Sequence, residues 1–270
     1  MHVQTLNCFG ARPGDGNPAL VIEDDRMDAA ARQAYARERN TTCVFLSPDH
    51  EVDYFYPHTR SPLCLHATLA VAAVLFGRDG ADGGGTIDVR TAMKGQRLRL
   101  SREGQDYFVR LAPQPAPSVA IRGEHIAALL NAPGLAMASA PRVASVGSPK
   151  LLVEVQDVDA LYGLAPDLAG INAWGKQHGV SGVYVYCRRD DATFEGRNFN
   201  HLDPALEDGA TGVAAGALAL ALGRGLLLRQ GRASGRDCLI RARVEEDAVL
   251  VGGAAVQAHD PCARSLSGHC

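Results

Sequence analysis

Two stretches of this chain are apolar at every position. Leu69-Ala70-Val71-Ala72-Ala73-Val74-Leu75-Phe76 stops at Gly77, and Ala214-Ala215-Gly216-Ala217-Leu218-Ala219-Leu220-Ala221-Leu222 stops at Gly223. A helix without a polar face belongs inside a core, so the pattern predicts two lobes, each with its own central helix. Both helices are entered through a short turn: Pro62-Leu63-Cys64-Leu65-His66-Ala67-Thr68 before the first, Glu207-Asp208-Gly209-Ala210-Thr211-Gly212-Val213 before the second. The longest apolar run, Val213 to Leu222, is about half a membrane span. It reads as a core helix, and no membrane partner is expected.

Elsewhere the chain alternates. Val3 to Cys8, Ala19 to Ile22, Cys43 to Leu46, Val52 to Tyr56, Thr86 to Val89, Gln96 to Leu100 and Tyr107 to Leu111 read as strands, and Asp28 caps a helix over Ala29 to Ala36. Pro113-Gln114-Pro115-Ala116-Pro117 is the sharpest break in composition and marks the lobe boundary, giving units 1–117 and 118–270. The second unit repeats the recipe with a helix near His125 to Leu130. Strands follow at Leu151 to Val155, Val183 to Cys187, Thr193 to Phe199, Cys238 to Val244 and Val249 to Val256. The expected class is α+β: two similar lobes, each a curved, mostly antiparallel sheet wrapped around an apolar helix. The last strand and tail are candidates to pack back on the first lobe.

Composition narrows the function classes. A net charge of −3 over 270 residues leaves no footprint for nucleic acid, and the basic stretches Arg97 to Arg102 and Arg229 to Arg241 are diluted by acidic neighbours. The start, Met1-His2-Val3-Gln4-Thr5-Leu6, lacks the pattern of a signal peptide. Seven cysteines without CxxC spacing point to reduced thiols and a cytoplasmic setting, with Cys187 as buried filler and His269-Cys270 too few to form a metal site. No GxGxxG, GxxxxGK[ST] or HExxH motif is present, so neither a redox cofactor nor a metal is expected.

The turns hold the acid/base candidates: Cys64 and His66 in one, Glu207 and Asp208 in the other. Taken singly, each has a structural explanation: a cysteine at a helix start is usually small apolar filler, a histidine a satisfied core residue, an aspartate a cap. Convergence on two buried helix starts changes the reading. Unpaired N–H groups and the helix dipole favour an anion there, and a base on one lobe with an acid on the other suits proton transfer next to a carboxylate. The helix start is expected to lower the Cys64 pKa, and an apolar closed site to raise that of Asp208.

Five motifs in order resemble those of the phenazine-biosynthesis isomerase-like (PhzF) family, which shares its fold with diaminopimelate epimerase. Gly16-Asn17-Pro18-Ala19-Leu20-Val21 is similar to GNPAAVV. Tyr54-Phe55-Tyr56-Pro57 with Pro62-Leu63-Cys64-Leu65-His66-Ala67-Thr68-Leu69-Ala70 is similar to FFTP…PLCGHATLA, and Glu207 to Leu218 to EDPATGSAAGAL. Gln230-Gly231 with Gly235-Arg236, and Val251 to Val256, match the family's ending. The resemblance implies a two-lobed fold, a homodimer, no cofactor and a small carboxylate substrate between the lobes. It places His66 and Asp208 on catalytic positions, with Cys64 where the epimerase branch has its first cysteine. Asn17 falls at the mouth of the site, and Leu65, Thr211, Gly212 and Val213 on substrate-binding positions.

The departures bear on mechanism. Family members carry a glutamate in a stretch like NLSETAF; here Asn40-Thr41-Thr42-Cys43-Val44-Phe45 puts Thr42 in its place, and a threonine orients substrate but does not shuttle protons. Arg60 replaces a second glutamate and is either a contact to another carboxylate or a surface charge; Leu65 replaces a glycine, and Gly209 stands where a second cysteine would fall. Three readings stay open. The chain is an isomerase using Asp208, His66 and a cysteine, Cys64 or Cys43, on an unsaturated or cyclic amino acid, or a racemase using Cys64, or a protein that binds small carboxylates or serves in assembly.

Overall fold

In the computed structural model, which describes residues 1–12, 14–78 and 85–258, the first half of the chain folds into ten elements. They are β1 (His2–Cys8), β2 (Asn17–Glu23), α1 (Ala29–Arg39), β3 (Thr42–Leu46), β4 (Glu51–Phe55), β5 (Arg60–Ser61), α2 (Leu65–Arg78), β6 (Thr86–Thr91), β7 (Arg97–Glu103) and β8 (Asp106–Leu111). The second half supplies α3 (Gly123–Leu129), β9 (Arg142–Ala144), β10 (Lys150–Glu154), α4 (Val158–Tyr162), α5 (Leu168–His178), β11 (Val183–Arg188) and β12 (Thr193–Phe199). It ends with α6 (Gly212–Leu222), β13 (Leu226–Gln230), β14 (Cys238–Val244) and β15 (Val249–Gln257). His269 and Cys270 lie outside the described residues.

Strand order explains why two helices are apolar all round. The order runs β1-β2-β3-β4-β6-β7-β8-β15, and β15 returns to β1 through Cys8 opposite Ala255 and Leu6 opposite Gln257, closing a barrel around α2. From β15 the sheet continues through β14, β13, β12, β11 and β10 to β9 and curves around α6. The class is α+β, with mostly antiparallel pairing and parallel steps at β2–β3, β4–β6, β10–β11 and β12–β13. Alternation does the sorting: Val44 and Leu46 of β3 join the core around α2, while Cys43 and Phe45 on the other face pack under α1.

Local signals fix the ends of helices. Asp28 accepts from the Ala31 N–H at 2.8 Å to start α1, and Gly223 takes the left-handed conformation (φ 65°) that ends α6. Helix α5 was not anticipated by the hydrophobic pattern because glycines interrupt it. A Cβ at Gly175 would lie 2.4 Å from the Val180 carbonyl, so the close approach excludes a better helix former. Strand β13, squeezed between the turn after α6 and Gly231, is likewise short for a sequence pattern. At the centre the two helix starts abut: a Cβ on Gly212 would lie 2.9 Å from the Leu65 Cβ. Among the described residues no helix is long and apolar enough to cross a membrane.

Candidate active site

The turn before α2 presents Cys64 and His66 side by side, both buried, with Sγ 3.3 Å from Nδ1 and 3.8 Å from Nε2. The Tyr56 hydroxyl and the His66 and Ala67 amides face the sulfur. Those N–H groups did not make the thiol acidic, contrary to expectation. Burial outweighs them and pushes the Cys64 pKa up to about 12. Burial, helped by the Arg236 charge, lowers His66 to about 4, so its imidazole is neutral at physiological pH. Tyr56, held well above the ordinary phenol range by burial, completes an uncharged first wall.

Asp208 stands opposite, half-buried in the turn before α6. Burial raises its pKa, as expected, against the partial opposition of His201, Lys150, the Thr211 hydroxyl and His58. The two turns converge closely enough that the Asp208 charge is felt at both Cys64 and Tyr56. Over the cleft the His58 and His201 rings meet edge to face at 5.5 Å, and Tyr56 stacks on His58 at 5.7 Å.

Gln230 organises the acidic turn from below. Its Nε2 donates to the Asp208 carbonyl (2.8 Å) and Thr211 Oγ1 (3.0 Å), while its Oε1 accepts from the Thr211 N–H (3.2 Å) and the Tyr184 hydroxyl (3.0 Å). The first helical bonds of α6 run from Ala214 and Ala215 back to the Thr211 carbonyl. The Gly212 and Val213 N–H groups are therefore left for a ligand.

Other candidates fall in distinct places. Thr42, 8% exposed, lies on the α2 face of β3. Asn17 opens β2, and its Oδ1 accepts from Arg236 at 3.4 Å. Leu65 is buried with its side chain against Gly212, so it closes the space between the helix starts. Glu207 leaves the acid/base set: Arg197 holds it bidentately at 3.0 and 2.9 Å. Cys43 leaves it too, being fully buried on the α1 face of β3, which pushes its thiol up to about 12. Arg60 is not a free surface charge; with Arg32 it clamps the buried Asp53 at 2.8–3.0 Å.

Beyond the residues of the two turns, Lys150, Gln230, Tyr56, His58 and Arg236 are also parts of the site. Lys150 was the most legible of them, a charge opening the apolar run Leu151-Leu152-Val153. It is 2% exposed, which lowers its pKa to about 8, and the Asp208 charge opposes that shift. Among the described residues no group of three His, Cys, Asp or Glu side chains is placed to hold a metal ion.

The chain is similar to known proteins along nearly its whole length. Residues 6–260 match the family model of the PhzC-PhzF group, phenazine biosynthesis-like proteins. The chain is 30% identical to the uncharacterized isomerase YddE of Escherichia coli over 94% of its length and 95% of the relative's. It is 28% identical to the trans-2,3-dihydro-3-hydroxyanthranilate isomerase of Pseudomonas chlororaphis over 90% of each. A solved structure of a predicted epimerase from Pseudomonas aeruginosa superposes with a TM-score of 0.79 at 28% identity, covering 95% of this chain and 96% of that one.

Proposed function

The chain belongs to the PhzC-PhzF family of phenazine biosynthesis-like proteins, and we propose that it is an isomerase that moves a proton, and with it a double bond, on a small unsaturated or cyclic amino acid. The substrate carboxylate binds at the Gly212 and Val213 N–H groups, beside Thr211. Asp208 takes the proton from one carbon and returns it to another. His66 and Cys64 line the opposite wall as neutral hydrogen-bonding groups, with Thr42 and Asn17 orienting the substrate. The isomerase names of relatives from E. coli and P. chlororaphis support this reading.

One observation carries it: of the two carboxylates in the turns, Asp208 is the one that has no ion pair among the described residues, and burial moves its pKa toward the range useful to a general acid and base. A racemase needs proton-handling groups on both faces of the substrate. Cys64, with its thiol near 12, and His66, with its imidazole near 4, are both poorly matched to that task. A single carboxylate works on one face, so proton removal and return are suprafacial. The resemblance extends the proposal to a homodimer, which sedimentation equilibrium tests.

The experiment is proton exchange in deuterated water, followed by NMR, with unsaturated and cyclic amino acids including trans-2,3-dihydro-3-hydroxyanthranilate. Exchange at a γ or vinylogous carbon that disappears in Asp208→Asn is the expected result. Exchange confined to the α carbon would establish the racemase reading instead. Binding without any exchange would leave a carboxylate-binding protein.

A further inference from the structure

Next to Asp208 the inner face of the sheet carries polar groups with nothing to bind. Asn198 lies on β12 directly across from Tyr184 of β11, which in turn lies across from Leu152 of β10. Leu152, Tyr184 and Phe194 all belong to the core around α6, so alternation turns Asn198 to that inner face as well. Asn198 is 1% exposed, and among the described residues neither its Nδ2 nor its Oδ1 has a hydrogen-bond partner; the buried Asn200 Oδ1 has none there either.

Lys150, two residues before Leu152, shares this face. Its Nζ makes one hydrogen bond among the described residues, to the Ser181 carbonyl at 3.1 Å, leaving two N–H groups unused. Between Lys150 and Asn200 the row is occupied by Gly182, where a Cβ would lie 2.7 Å from the Asn200 Cβ. The row lies near the reacting turn: Lys150 acts electrostatically on Asp208 and His201, and a Cβ on Gly147 of the preceding turn would lie 3.6 Å from Val213 of α6.

A buried polar group left unpaired is costly, and native proteins carry few of them. The two Asn198 atoms, on the same face as a lysine with spare donors, are accounted for if a ligand completes them. Resting on the carboxylate-binding reading above, we infer that Lys150 and Asn198 are specificity-determining residues that bind a second group of the substrate, one that both accepts and donates hydrogen bonds, of the hydroxyl or carboxamide type. Such a group accepts from Lys150 Nζ and Asn198 Nδ2 and donates to Asn198 Oδ1. A second carboxylate only accepts, and would leave Oδ1 unpaired.

Four probes of one length test this on the full chain by isothermal titration calorimetry: 4-hydroxybutyrate, succinamate, succinate and butyrate. The hydroxyl and carboxamide probes are expected to bind at least about tenfold more tightly than butyrate, the equivalent of about 1.4 kcal/mol. Asn198→Leu and Lys150→Met are each expected to reduce that preference, read as the ratio to butyrate binding in the same variant, to less than about twofold. Asn198→Leu removes two orphaned polar atoms and is expected to melt no lower than the natural chain, so loss of preference is not loss of fold. Preference for succinate overturns the neutral-group assignment. If butyrate binds and all four probes bind alike, this inference falls and the carboxylate site stands. If butyrate fails while 4-hydroxybutyrate binds in an Asn198-dependent way, the carboxylate site falls and this inference stands. If no probe binds, both are overturned.

Discussion

Gln230→Met isolates what holds the acidic turn in place. The substitution keeps length and approximate volume, so no cavity term enters, and removes four hydrogen bonds of 2.8–3.2 Å. The groups left behind are unequal. The Asp208 carbonyl sits in a half-buried turn and rehydrates, and the Thr211 hydroxyl can turn to Asp208, 3.4 Å away. The Thr211 N–H and the Tyr184 hydroxyl are sealed, since Thr211 is buried and Tyr184 fully so. Two sealed groups at about 1–3 kcal/mol each predict a loss of about 2–6 kcal/mol. Equilibrium urea unfolding reads this as a lower midpoint at unchanged slope. The turn loses its register as well, so kcat should fall with the stability. A variant within about 1 kcal/mol of the natural chain would refute the claim that Gln230 anchors the turn.

Asp208→Asn is expected to abolish exchange while raising stability at neutral pH. Because burial raises the folded-state pKa of Asp208 above 3.8, its favourable contribution is complete below that value and is lost as pH rises through the folded pKa. The melting advantage of the asparagine variant should therefore grow between pH 4 and pH 7, and a constant difference contradicts the shift. Cys64→Ser should slow turnover without abolishing it, and iodoacetamide at pH 7 should leave activity intact, because the thiol is buried and held near 12; mass spectrometry of Cys64 checks the second point. Asp53→Asn, which breaks the clamp with Arg60 and Arg32, should cost about 3 kcal/mol in urea unfolding. Its KM should not change, and a raised KM would return Arg60 to the substrate.

Sequence made α2 and α6 legible because burial leaves Leu69 to Phe76 and Ala214 to Leu222 no polar residue, and the turns before them were legible through their clustered acid/base groups and the resemblance. Other features depend on pairs far apart in the chain. Glu207 and Asp208 are neighbours with the same side-chain chemistry, yet one is held by Arg197, ten positions earlier on β12, and the other faces the cleft. The next residue on that strand, Asn198, turns the opposite way and is left unpaired. Only the sheet register, with Tyr184 opposite Asn198, decides which of these alternating side chains meets the substrate. Thiol acidity was misjudged for a related reason: the helix start is visible in sequence, but the depth of its burial is not.

The clamp on Asp53 also explains how the first half of the cleft lost its charge. Arg60 and Thr42 replace the two glutamates of the resembling family, and Arg60 spends its guanidinium on Asp53 within the same barrel. What remains on that wall is Tyr56, Cys64 and His66, three groups that burial keeps neutral. Of the ionisable set at the cleft, Asp208, Lys150 and His201 come from the second half of the chain and His58 from the first. A reaction run from one wall needs a substrate that presents both carbons to the same carboxylate. It also needs that substrate held from turning over, and a second polar anchor at Lys150 and Asn198 provides that hold.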